Sequence, residues 1–429
     1  MFSHCLKLSY KDTAQQNSYV TIPQAANSFD NTEIAANVDE DIIDSLTGGR
    51  LVGSVTSFEN FAECPLRYYL RYGVDLKERE EFTFSPVNFG VVLHAVIREV
   101  CDEIKKNGES YYLISDEKRR EMVKRSVAAI TDIYQNSILK DSSRNSFMIK
   151  RMEDLADRTV WAMGEQLKCG DFVPFVFEHK FNMEVGDGDR KQLMSGTIDR
   201  VDICENGTDV YVRIIDYKTG KKDFNIVKTY YGIDIQLMVY MEAAMKLVAK
   251  MRPGKNVIPA GVFYYNISDP IVSATTESAE EIEDKIKGEL RLKGMVNSDK
   301  DIAEKMDNTE GTSLNIPVSR KADGGFDSRR SKVMNTEQFN MLGRFVDVRA
   351  VDTADRIAGG DIRRSPYKDG QFSSCDRCPY GAVCGFSVDL PGCNYRKLKK
   401  FDDEVLWNNI EEGVDENGKK MDTGAEERD

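Results

Sequence analysis

We predict an α/β (α+β) fold for this chain, with a central mixed sheet flanked by helices. Three strand-like runs follow one another at residues 173–185, 193–204 and 210–217, and a fourth lies at 260–267. Helical patterns come before and after them, and 429 residues can bury a sizeable core. Strands gathered between helices are typical of layered folds of this class.

The helices are predicted from capping residues and hydrophobic periodicity. Thr56 and Glu59 have the spacing of a capping box, before a helix over 58–72 that Gly73 ends. Cys64 lies inside this predicted helix. Further helices are predicted over 87–106, 116–167, 230–251 and 336–357.

Composition divides the chain into three parts. Residues 1–50 are polar and are predicted to be a leader or linker, and 51–400 form the predicted folded domain. Within that domain, about 298–331 is charged and rich in Gly, Asp and Ser, which predicts a mobile insertion. The tail over 401–429 is acidic, and we expect it to be solvated or disordered.

Composition also limits the possible classes of protein. No apolar run is long enough to span a bilayer and the first residues do not form a signal peptide, so we expect a cytoplasmic protein without membrane contact. A cytosolic chain with nine cysteines does not predict a disulfide framework. The net charge of −13 comes largely from the acidic tail, so charge does not decide whether nucleic acid is a partner.

The strongest turn signal is Asn206-Gly207, between two strand-like runs, and it predicts a β-hairpin. With these two residues as the turn, Asp199 and Asp216 are diagonal neighbours on one face, about 7–8 Å apart at the backbone. Lys218 lies two residues beyond Asp216 and shares that face. The hairpin therefore brings two carboxylates and an ammonium together.

Such a group of side chains has two interpretations. Asp216 and Lys218 could form a surface ion pair, but apolar neighbours on both sides predict a buried strand, where unpaired charges are costly and usually mark a site. Carboxylate ligands favour Mg²⁺ or Mn²⁺, which would activate a water molecule and offset charge on a phosphate. Lys218 would position that water or stabilise the developing charge.

Four other residues are weaker candidates when taken alone. Gln236 and Tyr240 are four apart on one helix face and could hold a substrate phosphate or orient Lys218. His94 could be a ligand or a buried core histidine. Glu178, on the strand before the hairpin, could be a further acidic ligand or a plain surface carboxylate.

Taken together, these motifs resemble the RecB branch of the PD-(D/E)XK nucleases. The matching motifs are G-x3-H at Gly90 and His94, G-x-I-D at 196–199, I-I-D-Y-K-T-G at 214–220, and Q-x3-Y at Gln236 and Tyr240.

The resemblance implies a restriction-endonuclease-like PD-(D/E)XK core and a role for each matching residue. His94, Asp199 and Asp216 would ligate the metal with help from the backbone carbonyl of Tyr217, and Lys218 would be catalytic. Gln236 and Tyr240 would complete the catalytic set.

A second group of candidate ligands is formed by cysteines. Cys375, Cys378 and Cys384 follow a C-x2-C-x5-C pattern, and Cys64 stands alone 311 residues before the first of them. Cys393 is the only plausible rival to Cys64 as a fourth ligand. Four thiolates could hold zinc, but one distant cysteine with this trio fits a 4Fe–4S cluster better. Such a 4Fe–4S clasp would join the two ends of the domain.

The segments 55–65 and 375–384 are similar to the nuclease domain of the AddB-type component of bacterial ATP-dependent helicase–nucleases, and the resemblance covers about 50–400. It implies a cluster that serves structure and DNA-end binding. It also implies Mg²⁺-dependent exonuclease cleavage of single-stranded DNA ends, on the 5′-terminated strand, in double-strand break repair by homologous recombination. The partner would be an AddA-type helicase–nuclease subunit.

The chain departs from that family in one respect. AddB-type proteins carry a long helicase-like region before the nuclease domain, and here we find neither that region nor a G-x4-G-K-[ST] phosphate loop. We therefore expect a fragment or an isolated domain without an ATP site. Two alternatives stay open: a stand-alone CRISPR-associated iron–sulfur exonuclease, and a non-catalytic DNA-end-binding module.

Overall fold

The computed structural model describes residues 37–39, 42, 52–77, 86–133, 143–185, 192–273, 277–390 and 393–415. Most of the predicted leader and the end of the acidic tail (416–429) lie outside the described residues. None of the helices in the described ranges is long and apolar enough to cross a membrane.

A seven-stranded mixed sheet forms the centre of the domain. Its strands are β1 Val52–Ser54, β2 Val173–Val185, β3 Gln192–Asn206, β4 Asp209–Lys218, β5 Asn256–Asn266, β6 Lys293–Asn297 and β7 Val333–Met334. Strands β2, β3 and β4 form an antiparallel meander, β5 is parallel to β4, β6 is antiparallel to β5, and β7 is parallel to β6. A small second sheet contains β8 Tyr367–Asp369, β9 Phe372–Ser373 and β10 Arg396–Lys397.

Helices cover both faces of the main sheet. They are α1 Val55–Glu63, α2 Pro65–Tyr68, α3 Pro86–Lys106, α4 Asp116–Ile133, α5 Ser143–Lys168, α6 Ile226–Tyr230, α7 Gln236–Met251, α8 Ala279–Glu289, α9 Lys300–Met306, α10 Thr336–Ala358, α11 Gly381–Cys384 and α12 Asp403–Asp415. Because side chains alternate along a strand, Ile215 packs with α3–α5 on one face and Ile214 with α7, α10 and α12 on the other. The predicted mixed sheet flanked by helices is confirmed.

The hairpin between β3 and β4 forms, but its predicted register is wrong. Asn206 pairs with Asp209, so the two turn residues are Gly207 and Thr208, one position later than predicted. Gly207 has a φ of +60° and Thr208 does not have a positive φ, which is the pattern of a type II′ turn. In this register Asp199 and Asp216 lie across from each other at the end of the ladder, because the last pair is Arg200 with Ile215.

The first predicted helix is divided at Cys64. Ser54 caps α1, accepting a hydrogen bond from the Ser57 amide, so the predicted capping box at Thr56 is wrong. Cys64 has extended backbone angles (φ −167°, ψ 118°) because the following Pro65 excludes helical conformations at the residue before it. Pro65 then begins α2, and a π-helical segment over Tyr69–Gly73 follows.

Two other predicted helices are shorter than expected. The stretch 116–167 contains α4 and α5, with 134–142 outside the described residues. The helix predicted over 230–251 is interrupted at Gly232, whose φ of +76° cannot continue a helix, so α7 begins only at Gln236.

The predicted insertion and tail are more structured than we expected. Within 298–331, α9 and a following loop contribute five core residues, Ile302, Ala303, Met306, Ile316 and Val318. The mobility of this segment stays a prediction. In the tail, α12 packs against α10 and buries Leu406 and Ile410, which share one face because they are four residues apart. The described half of the tail is therefore part of the fold.

Candidate active site and cysteine cavity

Asp199 and Asp216 lie where the ladder between β3 and β4 ends. Their side chains are buried (7% and 3% of each residue is exposed), as the apolar neighbours predicted. The Asp199 carboxylate accepts a hydrogen bond of 2.7 Å from the Tyr217 amide, and so replaces the backbone acceptor that a continued ladder would supply. This bond fixes the orientation of one carboxylate against the neighbouring strand.

Helix α3 and strand β2 add two further ligand groups to Asp199. The Nδ1 atom of His94 lies 3.4 Å from Asp199 Oδ1 and 3.7 Å from Glu178 Oε1. One ligand atom from each of these three residues lies within 4.8 Å of the other two, the only such group of His, Cys, Asp or Glu side chains in the described ranges. The structure therefore brings Glu178 to the site, a position that the sequence left undecided.

The protonation of His94 reflects this acidic surrounding. Burial lowers the pKa of His94, but hydrogen bonds with the carboxylates of Asp199 and Glu178 outweigh that effect and raise the pKa to about 10. The imidazolium thus supplies positive charge at the place where a cation would lie between the two carboxylates. Metal binding there would release this proton.

Glu178 reaches the site through an unusual backbone conformation. Its φ is +48°, although it lies inside a β-strand and is not a glycine. The left-handed region costs a non-glycine residue about 1–3 kcal/mol, and residues held there are concentrated at functional sites. No feature of the sequence signals this conformation, because it depends on how β2 meets β3.

Lys218 is held by two partners beside the ligand group. Its ammonium forms an ion pair with Asp216 and donates a hydrogen bond of 2.9 Å to Gln236 Oε1. Gln236 Nε2 in turn donates to the Tyr240 hydroxyl at 2.9 Å. Of the two functions considered for Gln236 and Tyr240, this geometry supports the orientation of Lys218.

Asp216 is placed differently from the three grouped ligands. Burial and the neighbouring Asp199 carboxylate raise the pKa of Asp216 to about 7, although the Lys218 ammonium opposes this shift. Of the predicted ligands, His94 and Asp199 belong to the group, whereas Asp216 lies near Asp199 but outside it. A ligand role for the Tyr217 carbonyl stays a prediction. In the arrangement described, Asp216 pairs with Lys218 and Glu178 lies closer to His94.

Gly196 of the G-x-I-D motif makes room for aromatic packing. A Cβ atom at this position would lie 2.7 Å from the Phe181 ring and 3.0 Å from the Tyr240 ring. These two rings pack edge to face with their centroids 5.6 Å apart. The glycine therefore lets Tyr240 reach the position from which it holds Gln236.

The sequence predicted the wrong hydrogen-bond partner for Glu59, a residue near the site. Glu59 was predicted to cap its own helix, but its Oε1 atom accepts hydrogen bonds from the amides of Ile235 and Gln236 at 2.9 and 3.0 Å. It therefore caps α7 rather than α1. The T-x-x-E pattern marked Glu59 as a capping residue but could not indicate which helix it caps.

The four predicted cysteine ligands line a single cavity, which we call the cysteine cavity. Cys64 reaches it from the break between α1 and α2, and Cys375, Cys378 and Cys384 reach it from the C-terminal segment. Cys393 is buried but does not line the cavity. The rest of the wall is mixed: apolar groups come from Leu66, Leu70, Pro366 and Phe386, and polar groups from Arg67, Arg364, Ser374 and Tyr380.

Hydrogen bonds also join the two chain segments that form this cavity. The Leu66 amide donates to the Arg363 carbonyl (3.2 Å), and the Tyr380 hydroxyl donates to the Leu76 carbonyl (2.9 Å). The Arg396 guanidinium donates to the carbonyl of Ala62, two residues before Cys64. Hydrogen bonds between protein groups therefore connect the two ends of the domain.

Comparison with known families agrees with this geometry. A family model described as the PD-(D/E)XK nuclease superfamily matches residues 53–385, a range that includes every predicted site residue. The chain belongs to this superfamily. The predicted PD-(D/E)XK nuclease domain is thereby confirmed.

Several known proteins have similar sequences over most of this chain. The B subunit of the ATP-dependent helicase/deoxyribonuclease of Clostridium acetobutylicum is 35% identical over 383 residues, which cover 87% of this chain and 33% of that protein. The proteins of the same name from Caldanaerobacter subterraneus subsp. tengcongensis and Lachnoclostridium phytofermentans are 34% and 33% identical, each over 90% of this chain and 34% of its own length. The chain thus spans about a third of the length of these relatives.

Proposed function

We propose that this PD-(D/E)XK domain is a Mg²⁺-dependent deoxyribonuclease that hydrolyses phosphodiester bonds at the ends of single-stranded DNA. The observation that carries the proposal is the group of His94, Glu178 and Asp199 beside the Lys218–Asp216 pair. Carboxylate and imidazole donors within 4.8 Å of one another fit a divalent cation, Mn²⁺ included. When bound, such a cation polarises a phosphate and lowers the pKa of a water molecule.

The protein's own residues would orient the substrate and stabilise charge. Lys218 is fixed between Asp216 and Gln236, so its ammonium can donate to phosphate oxygens without first being ordered. Tyr240 holds Gln236 in turn. Asp216 would become a ligand once the cation is present, because added positive charge favours its ionised form.

Replacement of Lys218 by Ala tests this function. We expect cleavage of end-labelled single-stranded DNA in Mg²⁺ to fall by about 10³-fold, the order measured for loss of a group that stabilises transition-state charge. DNA binding without added metal should stay within about threefold, because one ammonium is a small part of a phosphate-contacting surface. Asp199→Asn should abolish cleavage as well.

Lys221→Ala is the matched control, because this neighbouring lysine is exposed. It should cleave DNA at the rate of the unmodified protein. Cleavage by the Lys218→Ala protein at the unmodified rate would contradict the proposed site. Absence of cleavage by the unmodified protein in both Mg²⁺ and Mn²⁺ would favour the non-catalytic DNA-end-binding alternative.

For the cysteine cavity we propose a 4Fe–4S cluster rather than zinc. Structural zinc sites are usually built from paired local C-x2-C motifs. Here one distant cysteine, Cys64, shares the cavity with a C-x2-C-x5-C trio, and this pattern supports the cluster. Iron and zinc analysis of protein purified without air tests the choice, and zinc without iron would contradict it.

We further infer the assembly from the relatives' names. Each is named as the B subunit of an ATP-dependent helicase/deoxyribonuclease, which favours that assembly over the stand-alone CRISPR-associated exonuclease. An A-type helicase–nuclease subunit would then be the partner, the 5′-terminated strand the substrate, and homologous recombination at double-strand breaks the process. Co-purification with an A-type subunit tests this assignment, as does cleavage of DNA labelled at either end.

A further inference from the structure

Helix α7 carries Gln236 at its first position but does not cap its own N-terminus. The residue before it, Ile235, has no side-chain oxygen and makes no capping hydrogen bond. The first amides of a helix have no partners within the helix and need acceptors from elsewhere. Glu59 supplies that acceptor from α1, with one carboxylate oxygen bound to both the Ile235 and Gln236 amides.

The Glu59 carboxylate is built into the interior beside the active site. Only 8% of the residue is exposed, and burial raises its pKa to about 7, although the Lys222 charge and the hydrogen bond from the Gln236 amide oppose this shift. Lys222 forms an ion pair of 3.0 Å with Asp234, and the Tyr264 hydroxyl donates to the same carboxylate at 2.6 Å. Ordered charges therefore surround the start of α7.

The Gln236 side chain extends from this capped end to the catalytic lysine. Its carbonyl oxygen accepts from Lys218, and its amide donates to Tyr240. A shift of the Gln236 backbone would move the acceptor that holds Lys218. Because a small misplacement of a catalytic group can cost much of its effect, the cap on α7 matters for the position of Lys218.

We propose that Glu59 is a positioning residue of the nuclease: it fixes the first turn of α7 so that Gln236 keeps Lys218 directed at the substrate phosphate. The inference rests on the proposed nuclease function. Among the described residues, Glu59 donates or accepts no hydrogen bond with the ligand group or with Lys218, although the charges of Lys222 and Lys218 act on it. Any effect that it has on the position of Lys218 should therefore pass through Gln236.

Steady-state cleavage by Glu59 variants tests this function. Glu59→Ala should lower kcat about tenfold and leave KM for DNA within about twofold, because the acceptor is lost while the DNA-contacting surface remains. Glu59→Gln keeps an acceptor oxygen and should retain kcat within about threefold. If Glu59→Gln falls as far as Glu59→Ala, or Glu59→Ala stays fully active, the positioning function is overturned.

A double-mutant cycle separates positioning from general damage. Gln236→Ala should lower kcat about tenfold, and Glu59→Ala combined with Gln236→Ala should be no slower than Gln236→Ala alone, because both changes act through one contact. Multiplied losses in the double variant would overturn the inference. Cys64 lies five residues beyond Glu59, so an unchanged iron content in each variant shows that the neighbouring site is intact.

Asn60→Ala is the matched structural control. Asn60 is buried on the same helix, but its amide donates to the Thr56 carbonyl within α1 rather than to α7. This variant should keep kcat within about twofold, since loss of a local hydrogen bond alone does not move Gln236. A tenfold loss in Asn60→Ala would show that any disturbance of α1 suffices and would overturn the specific function of Glu59. An unmodified protein that does not cleave DNA contradicts the proposed function itself, independently of these variants.

Discussion

The candidate active site and the cysteine cavity of this PD-(D/E)XK domain are assembled in opposite ways. Asp199, Asp216 and Lys218 lie on two adjacent strands within 20 residues of one another in the chain. The cysteine cavity instead joins Cys64 to a trio 311 residues later. The first group of residues lies on a sheet whose stability comes from its packed core. The cysteine cavity, by contrast, itself connects two distant parts of the chain.

This difference predicts two kinds of damage. Substitutions in the hairpin should remove activity at a smaller cost to the free energy of unfolding than substitutions in the cysteine cavity. Substitutions in the cysteine cavity should lower the free energy of unfolding first and activity as a consequence. Three variants test whether this division holds.

The largest effect is expected for Cys64→Ala. Closing a loop of this length removes unfolded-chain entropy equivalent to at most about 5–6 kcal/mol on the cross-link model, and this variant should lose much of that stabilisation. Urea unfolding followed by circular dichroism measures the change, and visible absorbance reports the proposed cluster. Cys393→Ala is the control and should keep its iron, because Cys393 does not line the cavity. Equal losses in both variants would remove the distinction between the two cysteines.

Gly196→Ala should produce an intermediate effect at the active site. The added methyl group would lie 2.7 Å from the Phe181 ring, and overpacking of this kind costs about 1–3 kcal/mol. Displacement of Tyr240 should also lower kcat, which would make this the one hairpin variant that reduces both stability and activity. In Gly220→Ala, by contrast, the new methyl group meets no atom within 4 Å, and thermal unfolding should show no change.

The smallest effect is expected for Asp347→Asn, at a contact between α7 and α10. Burial and a hydrogen bond with Glu242 raise the pKa of Asp347 to about 8, against the opposing charge of Lys246. The protonated carboxyl therefore contributes its full stabilisation below about pH 4, which is the pKa of aspartate in the unfolded chain. This contribution is lost as the pH rises through about 8, the pKa in the folded protein. Asparagine stays neutral, so this variant should be more stable than the unmodified protein at pH 9 by about 1 kcal/mol and equal to it at pH 4.

Unfolding of both proteins across this pH range tests the sign of that prediction. A larger advantage for Asp347→Asn at pH 4 than at pH 9 would contradict it. The pair joins α7 to α10, so unchanged cleavage by Asp347→Asn at neutral pH would also show that the active site does not depend on this contact.

Local patterns predicted much of this structure because they act over a few residues. The alternation of side chains along β3 and β4 is enough to put Asp199, Asp216 and Lys218 on one face. They stay on one face although the turn lies one residue later than predicted. The bounds of α3 and α10 also follow from periodicity and capping.

Other features depend on contacts that no local pattern contains. The turn could use Asn206-Gly207 or Gly207-Thr208, and the choice follows from pairing along the whole hairpin. The left-handed backbone of Glu178 arises where β2 passes Asp199. Glu59 binds amides 176 and 177 residues away, so only the folded chain reveals its partner. The break at Cys64, by contrast, was predictable from Pro65 alone.

One edge of strand β3 changes its pairing partner at the candidate active site. One of its edges pairs with β2 along most of its length, and the other pairs with β1 up to Ser195 and with β4 from Arg200 onward. The four residues between these ladders include Gly196 and Asp199. The candidate active-site residues of β3 therefore lie within the sheet, between two paired segments of this strand, rather than in a surface loop. Local opening of such a region requires nearly the free energy of global unfolding, so the Tyr217 amide that binds Asp199 should be among the slowest in the protein to exchange with deuterium.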